Sequence, residues 1–465
     1  MNTTLFVISD LHLGGKGGSE DSPGFQMCSP KTQGVLAEFI GRLPKGTRGH
    51  EVRLVIAGDI VDFLAEEPFE AFTGDADVAI RKLERILDDT APIWKALRAF
   101  VADRGGALTL LLGNHDIELS IPSVRRTFLK ALGPGQIDFL YDNEAFTMGP
   151  VLVEHGNRFD EWNAVPHGSL RRVRSQLSRS LPVHPPFPSL PGSQLVTQVM
   201  NRIKSQYAFV DLLKPENAAA LPILAALGVG EIRDIWRFFQ KYRQAFAVDF
   251  DEDREPINPE YINASHNDDQ AIFALAQQIL DGGDSSQIGA VSNLLSGIAG
   301  TVKAEIRQAR QSALYKVFRK MRVNHQEAFD VGHEIAKYLC PATVASEKFK
   351  VVIYGHTHHV KCVPIPRAGH TAVYLNAGTW ADLMRVPEEV WSADETSARS
   401  VLSSFVSDLE TNMLGKWRIG VPTFAKVEMA DGDVSEANVY FADGDWKEPV
   451  DTRHLLQRLN ENHGA

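Results

Sequence analysis

Leu5-Phe6-Val7-Ile8-Ser9-Asp10-Leu11-His12 is an apolar run that ends in an aspartate and a histidine two positions apart. A continuous run such as Leu5–Ser9 fits a strand buried on both faces, as in a sheet covered by helices. The same pattern recurs four times. Val52–Ala57 leads into Gly58-Asp59-Ile60-Val61-Asp62, and Ala107–Leu112 into Gly113-Asn114-His115-Asp116. Val151–Glu154 leads into His155-Gly156, and Lys350–Tyr354 into Gly355-His356-Thr357-His358. Every motif follows the carboxyl end of a predicted strand, where ligands gather in α/β sheets.

Between these strands the periodicity turns helical. A helix is predicted around Gly34–Arg42. Residues 76–103 carry Ile80, Leu83 and Leu87, then Ile93, Leu97, Phe100 and Val101, with an interruption at Pro92 and a stop at Gly105-Gly106. Shorter strands are expected near Ile137–Tyr141, Ala145–Met148 and Tyr374–Asn376. A pair over Thr423–Met429 and Asn438–Phe441 is joined by the turn residues Asp431-Gly432-Asp433.

Over 163–345 the strand signal stops. This stretch opens on Arg171, Arg172, Arg174 and Arg179, passes a Pro-rich connector at Pro182–Pro191, and then reads as helices near 194–213, 217–228, 230–247, 268–281, 302–322 and 326–339. The expected organisation is an α/β core in two parts, 1–162 and 346–445, interrupted by a helical insertion at 163–345 and followed by a tail at 446–465.

At 465 residues the chain exceeds what one hydrophobic core usually serves, consistent with a domain carrying a large insertion. A formal net charge of -11 argues against a protein that coats nucleic acid, which needs a basic surface. Cys28, Cys340 and Cys362 are odd in number and far apart, giving no disulfide framework and no zinc pairs. The N-terminal stretch reads as a first strand rather than a signal peptide, and the weakly polar Ile288–Val302 is too broken to span a bilayer. A cytoplasmic location, with contact at a membrane surface as an option, is the expectation.

Carboxylates, imidazoles and an amide oxygen form a ligand set suited to Mn, Fe or Zn. Each motif alone is commonplace; their order, each after a strand, carries the reading. Together they resemble the calcineurin-like metallophosphoesterases, whose ordered signature D-x-H, G-D, G-N-H-[DE], H and G-H-x-H is present here without substitution. The resemblance covers about 3–160 and 348–380, with the closing strands to about 442. It implies a two-sheet sandwich flanked by helices and two divalent transition-metal ions, Mn first with Fe or Zn as alternatives. On the same resemblance Asp10, His12, Asp59 and His358 would hold one ion. Asn114, His155 and His356 would hold the other, with Asp59 shared. Two cations about 3.5–4 Å apart acidify a bridging water and clamp phosphoryl oxygens, so hydrolysis of a phosphodiester or pyrophosphate by a metal-bridging hydroxide is the expected activity. His115 can lean toward the substrate and protonate the leaving oxygen, with Asp116 orienting its ring. Asp62 is either a partner to a metal ligand or an exposed helix-start carboxylate.

His155-Gly156-Asn157-Arg158-Phe159-Asp160 is similar to the H-G-D stretch of UDP-2,3-diacylglucosamine hydrolases, although Asn157 replaces the acidic residue, His115 stands where Arg is commoner, and the insertion is longer. A phosphate-ester substrate, nucleotide-linked or lipid-linked, is the leading expectation. A nuclease, a phosphomonoesterase and a non-catalytic scaffold follow. The basic stretch 303–322, with Arg307, Arg310 and Arg319, is either a solvated helix face or, together with Arg171, Arg172 and Arg174, a positive funnel near the metals that binds an anionic substrate. Asp249, Asp251, Asp253 and Glu260 sit at calcium-loop spacing, but Arg254 stands where the loop needs Gly and Pro256 and Pro259 intrude. Gly14–Gly18 reads as a rim loop.

Overall fold

The structure is a computed structural model that describes residues 2–17, 24–142, 145–246, 259–280 and 299–461. Asp249, Asp251 and Asp253, the loop end at Gly18 and the apolar stretch up to 298 lie outside the described residues. The chain is α/β with two mixed sheets. The strands are β1 (Asn2–Ile8), β2 (His50–Ala57), β3 (Ala107–Leu111), β4 (Gln136–Leu140), β5 (Phe146–Met148), β6 (Val151–Val153), β7 (Leu213–Lys214), β8 (Val351–Tyr354), β9 (Val360–Arg367), β10 (His370–Ala377), β11 (Met384–Arg385), β12 (Thr423–Ala430) and β13 (Asp433–Phe441).

One sheet runs β13-β12-β1-β2-β3-β4, parallel from β1 to β4 and antiparallel at the β12 and β13 edge. The other runs β5-β6-β8-β10-β9, with β6, β8 and β10 parallel. Alternation along β1 explains how the layers stack. Leu5 and Val7 point into a core shared with Val151, Val153, Val351, Ile353 and Leu375 of the second sheet. Phe6 and Ile8 point the other way, against Leu36, Phe39 and Ile40 of the helix Pro30–Arg42 and Trp94 and Leu97 of the helix Ala91–Ala102. The outer face of the second sheet is covered by Tyr338 and Ala342 of the helix Ala336–Ala345. Parallel strands place their carboxyl ends at one edge, and that edge collects the motif loops.

The intervening segment has its own apolar core. Phe209, Leu213, Leu224 and Phe273 meet Leu314 and Phe318 of the helix Ala299–Ala328. The same core takes in Trp391, Leu402, Phe405 and Trp417, so chain beyond residue 346 completes the helical unit. The short parallel pair β7–β11 stitches the two contributions together. The helix expected over 194–213 is shorter: a continuous helical run covers Pro191–Lys204, with one wider turn at Val196–Met200. Beyond it Asn412 holds the backbone, its amide oxygen accepting from Ala208 N (3.3 Å) and its nitrogen donating to Gln206 O (2.8 Å). The helix expected at 326–339 is also divided. Lys361 Nζ caps the end of the long helix at the carbonyls of Glu327, Ala328 and Asp330 (3.3, 3.0 and 2.8 Å). A new helix then starts at Ala336. The expected tail contains the helix Thr452–Glu461, whose Leu455 and Leu459 are buried in the inter-sheet core. Among the described residues no helix is long and apolar enough to cross a membrane.

Candidate metal centre

Five loops leave the strand ends and are tied backbone to backbone. Asp10 N donates to Gly58 O (3.2 Å), His12 N to Asp59 O (3.0 Å), Phe63 N to His115 O (3.2 Å) and Gly355 N to His155 O (2.9 Å). Space between them is so small that two of the motif glycines are obligatory. A Cβ on Gly113 would lie 2.0 Å from Asp59 Oδ1, and one on Gly355 would lie 2.5 Å from Ser9 Oγ.

The tight loops force unusual backbone on the residues they present. Asp10 (φ 55°), His12 (44°), Asp59 (49°), His356 (69°) and His358 (62°) all occupy the left-handed region. They are five of nine such non-glycine residues among the described ones. Each such conformation costs about 1–3 kcal/mol. Five in one cluster therefore weigh as much as the net stability of a typical domain, roughly 5–15 kcal/mol. Backbone held this way points to a site whose side-chain positions matter more than its stability.

The side chains converge on two loci. Asp10, His12 and His358 present ligand atoms within 4.8 Å of one another, and so do Asp59, His155 and His356. His358 Nε2 is 3.5 Å from Asp10 Oδ1, and His12 Nε2 is 3.0 Å from His358 Nε2. Asp59 lies between the loci, its Oδ2 3.7 Å from His12 Nε2 and 3.3 Å from His155 Nε2. Asn114 adjoins Asp59, since the next residue, His115, donates its N–H to Asp59 Oδ1 (2.9 Å).

Whether a cation suits these residues can be judged from the atoms left without partners. Asn114 Oδ1 is buried and makes no hydrogen bond, and the buried Asp10 Oδ1 and His155 Nε2 meet only members of the cluster, His358 at 3.5 Å and Asp59 at 3.3 Å. Native proteins rarely leave such acceptors unsatisfied. Each is an electron-pair donor of the kind divalent transition metals bind. The outer atoms of the same side chains are already fixed: His155 Nδ1 on Ala57 O (2.7 Å), Asp10 Oδ2 on the His356 N–H (2.9 Å) and His356 Nε2 on Asp160 Oδ2 (3.0 Å). Ligating imidazoles are commonly oriented through their second nitrogen in this way. The residues fit a metal.

His115 stands at the side of this cluster, 4.7 Å ring to ring from His12. Its Nδ1 is 3.2 Å from Asp62 Oδ1. Burial alone would lower the imidazole, but the Asp62 and Asp59 carboxylates outweigh it and raise the ring to about 10, so it is protonated near neutral pH. Asp116 does not orient that ring. Its two oxygens accept from Gly113 N (2.8 Å) and Ile60 N (2.7 Å), clamping two motif loops together, and burial with the nearby Asp59 charge lifts it to about 7. The tight turn after Asn114 sends residue 116 back under the loop, so Asp62 takes the expected role. Asp62 also lies 3.5 Å from His12 Nδ1 and begins the short turn Phe63–Ala65 by accepting from Leu64 N and Ala65 N (3.0 and 3.2 Å), but it does so buried and not exposed.

Arg307, Arg310 and Arg319 make their bonds elsewhere. Arg307 pairs with Glu410, Arg310 donates to the helix-end carbonyl of Leu280 (3.2 and 2.9 Å), and Arg319 reaches the carbonyls of Trp391 and Ser392 (both 3.0 Å). These contacts brace the helical unit, in place of the expected funnel. Arg171 and Arg174 likewise pair with Asp142 (3.2 and 2.6 Å).

Two further contributors support the cluster from outside its ligand set. Asp160 bridges His356 to Lys337 Nζ (3.0 Å). A sixth loop after β10 supplies Asn376, which donates to Gly355 O (2.9 Å), and Thr379, which with Trp380 N anchors Asp10 O (2.9 and 3.0 Å). Its signal was available, for Asn376-Ala377-Gly378-Thr379 also follows an apolar run. Compared with known proteins, the chain matches no family model and no curated sequence.

Proposed function

We propose that the chain is a metal-dependent phosphoesterase with the metallophosphoesterase sandwich fold, hydrolysing a phosphodiester or pyrophosphate bond. The observation that carries this is the convergence of buried Asp10 Oδ1, Asn114 Oδ1 and His155 Nε2, none of them hydrogen-bonded outside the cluster, in one Asp/His cluster beside His115, whose ring rests on Asp62. Asp10, His12 and His358 would hold one ion, Asn114, His155 and His356 a second, and Asp59 would serve both, with Mn the first choice. Bound divalent ions would acidify a water and neutralise phosphoryl oxygens.

The chain's own groups supply the rest. Asp62 holds His115 by Nδ1 and keeps the ring charged, which leaves Nε2–H as the atom to meet the leaving oxygen. Proton transfer from Nε2 to that oxygen would neutralise it as the P–O bond breaks. Asp160 fixes the His356 ring, and Asp116 keeps the loops bearing Asp59 and Asn114 in register. Three free cysteines suit a reducing compartment such as the cytoplasm.

The test is hydrolysis of bis-p-nitrophenyl phosphate and of p-nitrophenyl phosphate by metal-stripped protein, with and without added Mn. Mn-dependent turnover favouring the diester is expected. Absence of turnover on either ester in protein that has taken up Mn would remove the enzymatic reading and leave a metal-binding scaffold.

A further inference from the structure

In the turn that follows His155-Gly156, the side chain of Asn163 links two members of the cluster. Its Nδ2 donates to Asp160 Oδ2 (2.8 Å), the same oxygen that meets His356 Nε2 (3.0 Å). Its Oδ1 accepts from Asn114 Nδ2 (3.4 Å). The other Asp160 oxygen, Oδ1, takes Lys337 Nζ (3.0 Å). A carboxylate paired with a lysine has no hydrogen to give, so the direction of each bond leading away from it is fixed.

The consequence runs along two paths. His356 Nε2 must carry its proton toward Asp160, which leaves Nδ1 as the ring's lone pair. On the other path, the Asn163 edge that meets Asp160 must be its NH2, so its oxygen faces Asn114. Asn114 must answer with its own NH2, and Oδ1 is the atom left over. That oxygen is the buried one without a hydrogen bond. An amide turned over keeps its shape but would aim N–H bonds at a cation. Orientation, not shape, is what makes Asn114 a ligand.

Asn163 is itself held in place. Asn157 Nδ2 donates to its carbonyl (2.9 Å), and its own N–H goes to Asp160 O (2.9 Å). A carboxylate at position 157 would lack the hydrogen for the first of these bonds. Gly192, in the helical run Pro191–Lys204, donates to Trp162 O (2.8 Å), and a Cβ on it would lie 2.2 Å from Asn163 Oδ1. The start of the intervening helical segment therefore sits directly against the atom that turns Asn114.

We propose that Asn163 is a positioning residue for the second ion: it turns the Asn114 amide so that Oδ1 faces that ion, and ties this orientation to the one Asp160 gives His356. The inference rests on the metal reading above, and calorimetric Mn titration of the full chain separates the two. Asn163→Leu keeps the size and removes both bonds. One of two binding steps should weaken about 10–100-fold, the weight of an outer partner, while the other stays within about threefold. In an Asn114→Asp background the ligand has oxygen on both edges and needs no turning, so Asn163→Leu should there change that step by less than about threefold. Gly192→Ala, whose methyl displaces the Asn163 oxygen, should weaken the same step and serves if circular dichroism shows Asn163→Leu to be unfolded. Equal weakening of both steps, in proportion to lost urea stability of metal-free protein, would make Asn163 a structural residue only and overturn the proposal. So would unchanged affinity in both variants, or an undiminished loss in the Asn114→Asp background. An unaltered chain that takes up no Mn would overturn the metal reading and this proposal together, whereas two equivalents without a selective loss would overturn the role of Asn163 alone.

Discussion

Replacing Asp160 by alanine should weaken metal binding and lower stability by two routes that can be told apart. The carboxylate touches His356 Nε2 through Oδ2 (3.0 Å) and Lys337 Nζ through Oδ1 (3.0 Å), and Asn163 Nδ2 donates to it as well (2.8 Å). Loss of an outer partner that orients a ligating imidazole typically reduces metal affinity 10–100-fold. Stability falls because Lys337, only 17% exposed at its side chain, keeps Glu161 (3.4 Å) as its remaining carboxylate. A buried charge left wholly unpaired costs about 3–5 kcal/mol. With Glu161 still present, the loss should be nearer that of one hydrogen bond to a charged group, about 1.5–3 kcal/mol. Adding Lys337→Met should recover much of that stability and none of the affinity, because the His356 ring is still unsupported. The assays are urea unfolding of metal-free protein and calorimetric titration with Mn. Affinity of Asp160→Ala within about threefold of the unaltered protein would refute the orienting role. An equal loss of affinity in Lys337→Met alone would refute it too, since that change leaves Asp160 on His356.

Asp59→Asn should bind neither ion, because one carboxylate faces both loci; a variant that retains one equivalent by elemental analysis contradicts the sharing. His115→Ala should keep its metal content while turnover drops roughly 10²–10⁴-fold, most on esters with poor leaving groups; stripped metal would show that the residue was misassigned. His325 is held to about 4, first by burial and then by Arg385, and its folded value therefore lies below the ordinary 6.5. A depressed base stabilises fully above 6.5 and loses that contribution as pH falls toward 4, a difference of roughly 3 kcal/mol. His325→Phe should flatten urea-derived stability over that window, and a slope equal to that of the unaltered chain would contradict it.

The strands and their loops were legible because a buried parallel strand leaves a continuous apolar run, and each run ended in residue types with few other uses together. Leu5–Ser9 and Lys350–Tyr354 are of this kind, and both became strands, β1 and β8. β9 leaves no clear strand signal because Val360–Arg367 contains Pro364 and Pro366, residues tolerated in an edge strand, which is where it lies. Partners distant in sequence were the harder part. Adjacency in the chain suggests Asp116 as the partner of His115, whereas the carboxylate that meets the ring is 53 residues away, at Asp62. The arginines of the long helix misled for a related reason. A cationic helix face looks alike whether it faces an anionic substrate or the free carbonyls of neighbouring helix ends, as Arg310 does at Leu280.

Backbone conformation was the least legible property, and it links the fold to the site. Nothing in the letters Asp and His announces a positive φ, yet five of the seven motif residues adopt one. The glycines beside them carried the hint. Gly113 presses on Asp59, and Gly355 on Ser9 and Asp10, so each removes a Cβ from the place where a second loop passes. Loops packed this closely cannot relax one at a time. Asp10 receives bonds from the Gly355–His356 loop and from Thr379 and Trp380, and its own N–H goes to Gly58. A change at any one loop therefore moves ligand atoms on another, and the strained set is stable only as a whole. That coupling explains why a cluster assembled from five separated motifs can hold buried donor atoms without partners: the sheet edge fixes the loops, and the loops fix each other.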